Sequence, residues 1–145
     1  MSAKHFLDTN IFVYSFDESQ PEKRERALNL IAEALQSGDG LISAQVIQEF
    51  LNVATRKFTS PMKTADCQAY LTRVLHPLCQ VTPDLALYEA SLDIQQETGY
   101  SFYDSLILAG ALRGGCTTLY SEDLQAGQQV RGLHIINPFH QDSSN

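Results

Sequence analysis

Five short apolar runs, HFLD, GLI, CQV, TTLY and LHII, are separated by longer stretches whose apolar residues recur every three or four positions, and this alternation most constrains the fold. Runs this short suit strands, and the stretches between them suit amphipathic helices. A parallel partner strand is reached only through a crossover of a dozen or more residues, usually helical, so the alternation predicts βαβ units. The expected architecture is α/β: three layers, α/β/α, around a parallel sheet of four to five strands covered on both faces.

Turn and cap residues mark the boundaries. The first strand, His5 to Asp8, turns straight into a short helix through TNIFVYSF. Ser19 and Glu22 form a capping box around Pro21, and the helix that follows stops at Gly38. Strand 40–42 leads to Ser43 as N-cap of a helix burying Val46, Ile47, Phe50, Leu51 and Ala54, with Glu49 on it. Thr64 caps the next helix, through Leu75; Cys79 to Val81 is a strand, and Thr82-Pro83 opens a helix closed by Gly99. From Tyr103 the run DSLILAGAL is apolar almost all round, as in a helix packed centrally on a sheet, with Asp104 in its first turn. Strand 117–120, the turn SEDL, a weak helix around Leu124 to Val130 and strand 133–136 complete the expected single domain over 1–139, before the polar tail 140–145.

Ligands of open α/β sheets bind beyond the carboxyl ends of the strands, where successive crossovers diverge. Asp8 ends the first strand, Asp123 follows the fourth, and Glu49 and Asp104 ride helices that can reach the same edge when the first strand lies between the second and fourth. Singly, each acid also suits a cap, a turn or a solvated face. Together they repel, each pair at about 4 Å costing ~4 kcal/mol at an effective dielectric of 20, so a cation belongs among them. All-oxygen ligands favour Mg²⁺ or Mn²⁺, which bind phosphate oxygens and acidify water. That chemistry is phosphodiester hydrolysis.

Other classes are excluded or disfavoured. The 145 residues, 43% hydrophobic and 19% charged, have no apolar run near the roughly 20 residues of a membrane span. MSAKHFLD lacks the apolar stretch of a secretory signal, so a cytoplasmic location is expected, with no membrane partner. Cys67, Cys79 and Cys116 are far apart and odd in number, which supports neither disulfides nor a zinc knuckle. His5, His76, His134 and His140 lack metal-ligand spacing. A net charge of −7 means that a polyanion must be held by local cations; Lys23, Arg24 and Arg26, or Arg56, Lys57 and Lys63, are the candidates. Tyr100, Phe102 and Tyr103 are candidates for base stacking, with core packing or dimer contact as the plainer reading.

The blocks FLDTNIFVYSFD, ISAQVIQEFLNV and YSFYDSLILAGALRGGCTTLYSEDLQAG, with INPF near the end, cover nearly the whole chain. In that order they resemble the PIN-domain nucleases, and among them the small VapC-like toxins of bacterial toxin-antitoxin pairs. The resemblance implies an order 3-2-1-4-5 and an acidic quartet of Asp8, Glu49, Asp104 and Asp123. Asp8, Asp104 and Asp123 would hold Mg²⁺ or Mn²⁺, and Glu49 would complete the site or orient the attacking water. Thr9, Asn10 and Ser121 would form the polar surround, Ser121 standing where the family usually has Thr or Ser, while Glu122 projects elsewhere. It further implies metal-dependent cleavage of single-stranded or loop RNA, a homodimer, and inhibition by a cognate antitoxin whose Arg approaches the acids.

Two rivals come from other classes. A phosphatase of the haloacid-dehalogenase type also places Asp after its first strand, but needs a second Asp two positions on, where this chain has Asn10, and a downstream Lys that SEDLQAG lacks. A non-catalytic, PIN-like or receiver-like protein-binding domain would tolerate loss of an acid, yet all four are present.

Overall fold

The structure, a computed structural model, describes residues 3–139; the tail expected over 140–145 lies outside the described residues. In chain order the elements are β1 (Lys4–Leu7), α1 (Thr9–Tyr14), α2 (Pro21–Ser37), β2 (Gly40–Ser43), α3 (Ala44–Arg56), α4 (Thr64–Tyr70), a π-helical turn (Leu71–Leu75) and the single turn α5 (His76–Leu78). These are followed by β3 (Cys79–Val81), α6 (Leu85–Thr98), α7 (Phe102–Arg113), β4 (Cys116–Tyr120), β5 (Gln129–Val130) and β6 (Leu133–Ile136).

The strands form one sheet in the order β3-β2-β1-β4-β6-β5. All pairs are parallel except the edge hairpin of β5 with β6. The fifth strand anticipated from the sequence is β6, so the expected order holds from β3 to β6. The sheet gains a sixth, antiparallel strand where a weak helix around Leu124 to Val130 was expected. The cause is local: Arg131 and Gly132 both have positive φ, 50° and 86°, between Val130 and Leu133. Two such residues make the tight turn whose twist suits a two-residue hairpin.

Central β1 is buried on both faces, with Phe6 and Leu7 fully covered. The aromatic rings of Phe12 and Phe50 meet at 6.4 Å, and Tyr70 lies 5.1 Å from Phe50. These contacts lock α1 against α3 and so fix the helices that carry Thr9 and Glu49. On α7 every residue from Ser105 to Ala111 is buried, as its all-round apolar pattern predicts. Its Gly110 packs so near β2 that an added Cβ would stand 3.4 Å from the Cβ of Ser43.

Several expected caps resolve differently. Ser19 bonds Asp17, two residues away, instead of capping α2, whose N-cap Gln20 makes no side-chain capping bond. The Asp17 carboxylate accepts from both the Ser19 N–H and its hydroxyl, a local turn in place of a cap. Thr64 is the first residue of α4 and not its cap. Thr82-Pro83 precedes the start of α6, which Asp84 caps by accepting from the Leu87 N–H at 2.8 Å. Ser43 is the N-cap of α3, but its hydroxyl caps nothing. The helix expected through Leu75 widens into its π-turn just before Pro77, a residue that lacks an N–H and crowds the carbonyl four residues back.

Candidate active site

Asp8 leaves β1 in extended conformation as the N-cap of α1, at the point where β1 faces β4. Its N–H donates to the Tyr120 carbonyl at 3.0 Å, which stitches the two strand ends together. Its carboxylate is buried: Oδ1 accepts from the Thr9 N–H at 2.7 Å and Oδ2 from Ser121 Oγ at 2.7 Å. Burial pushes the Asp8 carboxyl up to about 6; the Ser121 and Thr9 bonds oppose this, and the charges of Glu49 and Asp123 add to it.

The other acids gather around this point. Thr9 Oγ1 donates to Glu49 Oε1 at 2.7 Å, and Asn10 Nδ2 donates to Asp123 Oδ2 at 2.8 Å. The Asp123 carboxyl is pushed up from its ordinary value by partial desolvation, then by the charges of Glu122, Asp104 and Glu49. Asp104 enters through the first turn of α7, which Ser101 caps by accepting from the Asp104 N–H at 3.2 Å. Asp8, Glu49, Asp104 and Asp123 therefore lie within electrostatic reach of one another through Asp123 and Asp8. Thr9 holds Asp8 and Glu49, Asn10 holds Asp123 and Ser121 holds Asp8, each by a hydrogen bond.

Glu122 does project elsewhere. Lys23 Nζ meets its Oε2 at 2.7 Å and the Tyr14 hydroxyl donates to Oε1 at 2.5 Å. Burial opposes ionisation of Glu122, but these two bonds outweigh it and hold the carboxyl below its ordinary range. Lys23 is thereby engaged, as is Arg26, whose Nε donates to the Pro138 carbonyl at 3.2 Å. Arg24, Arg56, Lys57 and Lys63 are exposed. Tyr103, beside Asp104, is 67% exposed, whereas Tyr100 is tied to Gln128 and to the Gln125 N–H.

Two features went unread in the sequence. The Tyr14–Lys23–Glu122 group joins residues about a hundred positions apart and has no local signature. The role of Gln45, four residues before Glu49 on α3, is likewise not written locally: its Nε2 donates to Glu49 Oε2 at 3.3 Å and to the Tyr103 carbonyl at 3.0 Å.

The donor set suits a hard divalent cation: four carboxylates and no lysine or arginine paired with them among the described residues, where the ion pairs are Lys23–Glu122, Arg113–Asp84 and Arg131–Glu97. As posed, no three acidic, histidine or cysteine side chains among the described residues stand close enough to hold an ion. Ligation by three therefore requires side-chain rotation. Asp104 has no side-chain partner among the described residues, and Asp123 reaches solvent.

Compared with known proteins, residues 5–128 match the family model of the PIN domain. The chain matches none of the curated proteins by sequence. Among solved structures it is similar to FitAcB from Neisseria gonorrhoeae (20% identity, TM-score 0.63, covering 94% of this chain and 99% of that one). It is likewise similar to a toxin-antitoxin complex from Klebsiella pneumoniae (19%, TM-score 0.64, 93% and 98%). A third is VapC20 of Mycobacterium tuberculosis, described as a sarcin-ricin loop cleaving toxin (19%, TM-score 0.56, 83% and 90%). At such identities the likeness to these structures is one of fold.

Proposed function

Since the chain belongs to the PIN domain family, we propose that it is a divalent-metal-dependent endoribonuclease, the toxin of a toxin-antitoxin pair. The observation that carries this reading is the set of four acids at the β1–β4 edge, with Asp8 pushed up to about 6 among like charges. Such a cluster favours a cation, and a hard one by its ligands. A fold shared with toxin-antitoxin chains, one of them described as cleaving RNA, supports the substrate class.

Asp8, Asp104 and Asp123 would hold Mg²⁺ or Mn²⁺. The ion supplies an acidified water and charge stabilisation on the scissile phosphate. Ser121 and the Thr9 N–H fix the Asp8 carboxylate, Asn10 steadies Asp123, and Glu49, held by Thr9, completes the site around the ion. Tyr103 offers an exposed ring beside the site on which a base can stack.

The partner in this reading is an antitoxin. A groove of ≈ 400 Å³ lined by Phe16, Leu28, Ile31, Leu35, Tyr70 and Val74 offers an apolar seat for part of it. A second copy of the chain would dock on Leu85, Tyr88 and Leu92, spaced along one side of α6 and 78%, 39% and 56% exposed. No helix among the described residues is long and apolar enough to cross a membrane, and in this reading the enzyme works in the cytoplasm, where its RNA substrate is.

One observation favours the non-catalytic alternative: among the described residues no three candidate ligands are gathered as posed. Cleavage of RNA oligonucleotides with and without Mn²⁺, by the wild type, Asp8→Asn and Asp104→Asn, decides between them. The expected result is metal-dependent cleavage and growth inhibition by the wild type, both lost in the variants with circular dichroism unchanged. Cleavage that survives both substitutions rejects the assignment.

A further inference from the structure

Glu49 carries one hydrogen bond on each carboxylate oxygen, from Thr9 on one side and Gln45 on the other. Thr9 opens α1, just past the end of β1. Gln45 looks away from it, toward α7, and its second amide proton goes to the Tyr103 carbonyl, one residue before Asp104. We propose that Gln45 is a positioning residue: its amide bridges Glu49 to the backbone beside Asp104 and holds the Glu49 carboxylate against rotation. This rests on the reading of the acidic cluster as the catalytic centre.

The orientation of the amide supports the assignment. Gln45 is only 8% exposed, and its Oε1 is buried without a partner among the described residues. Turning the amide over would set Oε1 against two acceptors, the Glu49 carboxylate and the Tyr103 carbonyl. The side chain thus gives both donors to the site although its own acceptor stays unpaired, the opposite of what packing alone selects. An i, i+4 pair of Gln and Glu on a solvated helix face has no such constraint. Gln45 also lines, with Ser43, a cavity of ≈ 40 Å³, enough for a water.

A side chain that orients a ligand-bearing carboxylate acts through metal affinity, typically by 10- to 100-fold. The test uses the full chain as Gln45→Met, which keeps the volume and removes both donors. Gln45→Ala, which adds no atoms, carries the same test where the thioether disturbs packing. Mn²⁺ alone is titrated by calorimetry, RNA cleavage is measured at limiting and saturating Mn²⁺, and urea unfolding is followed in chelator. The Mn²⁺ Kd is expected to rise about 10-fold, with cleavage falling at limiting Mn²⁺ and recovering at saturation, while the unfolding midpoint in chelator stays near wild type. A lowered midpoint with Mn²⁺ affinity unchanged overturns the assignment and leaves Gln45 a packing residue. Asp8→Asn separates the two levels: if it loses Mn²⁺ binding and Gln45→Met does not, the Gln45 role fails alone, whereas unchanged binding and cleavage in Asp8→Asn remove the catalytic reading and this inference with it.

Discussion

Ser121 Oγ donates a 2.7 Å hydrogen bond to Oδ2 of Asp8 across 113 positions of sequence, inside the protein. It steadies the charged form of an acid that burial works to neutralise. Ser121→Ala is therefore expected to raise the Asp8 carboxyl further, by about one pH unit for a lost bond to a charged group. An NMR titration of the metal-free protein reads the midpoint directly; an unmoved midpoint rejects this role for the hydroxyl.

Asp8 also sets a pH dependence of stability. Its carboxyl titrates near 3.8 in the unfolded chain and at about 6 in the folded one, so the folded state holds the proton more tightly. The resulting stabilisation, on the order of 3 kcal/mol, is fully present below pH 3.8 and is lost as pH rises to about 6. Asp8→Asn removes this loss. In chelator, urea unfolding should find the variant gaining stability relative to wild type between pH 4 and pH 7, although it is inactive. A difference that stays flat across that window excludes a raised Asp8.

What could be read in the sequence follows from which signals are local. Asp8 at a strand end, the stops at Gly38 and Gly99, and the all-apolar face of α7 are written in adjacent residues, whereas the sheet order from β3 to β6 came from the family resemblance. Asp8, Asp104 and Asp123 were nameable because each sits at a junction, and Glu49, inside α3, because the family resemblance marks it. The bridges that order them, Ser121 to Asp8, Asn10 to Asp123 and Tyr14 with Lys23 to Glu122, join distant segments and leave no pattern. Ser19 and Leu124 to Val130 misled for another reason: each had a local alternative, an Asp17 bond and a tight hairpin, of similar strength.

Two glycines should respond oppositely to alanine. A Cβ on Gly40 would lie 2.3 Å from the Ala34 Cβ and 2.7 Å from His5 Nε2, where α2 presses on β2. Gly40→Ala is expected to cost about 1–3 kcal/mol. On Gly110 the nearest atom is the Ser43 Cβ at 3.4 Å, and Gly110→Ala, in a helix interior, should be neutral or stabilising by up to about 1 kcal/mol. Denaturant midpoints of the two variants test the contrast.

Arg131 has a φ of 50° that its side chain disfavours, and its ion pair with Glu97 is exposed. Arg131→Asn, a residue suited to that turn position, should stabilise the β5–β6 hairpin by about 0.5 kcal/mol net. Thermal unfolding that moves downward instead would show that the Glu97 contact outweighs the strain.

Lys23→Met should release Glu122 from its partner beside Asp123. The Glu122 carboxyl loses its main opposing charge and is expected to rise, and stability should fall by about 1 kcal/mol for a partly buried pair. Direct titration of Glu122 and a urea curve measure both.

The backbone stitch from the Asp8 N–H to the Tyr120 carbonyl has a temporal side. Asp8 and Ser121 stand 113 positions apart, and three crossovers, β1 to β2, β2 to β3 and β3 to β4, lie between them. Contacts of such long range close late. A chain in which β4 has not yet docked on β1 thus holds Asp8 and Asp123 apart, and the acidic edge assembles as a late step of folding.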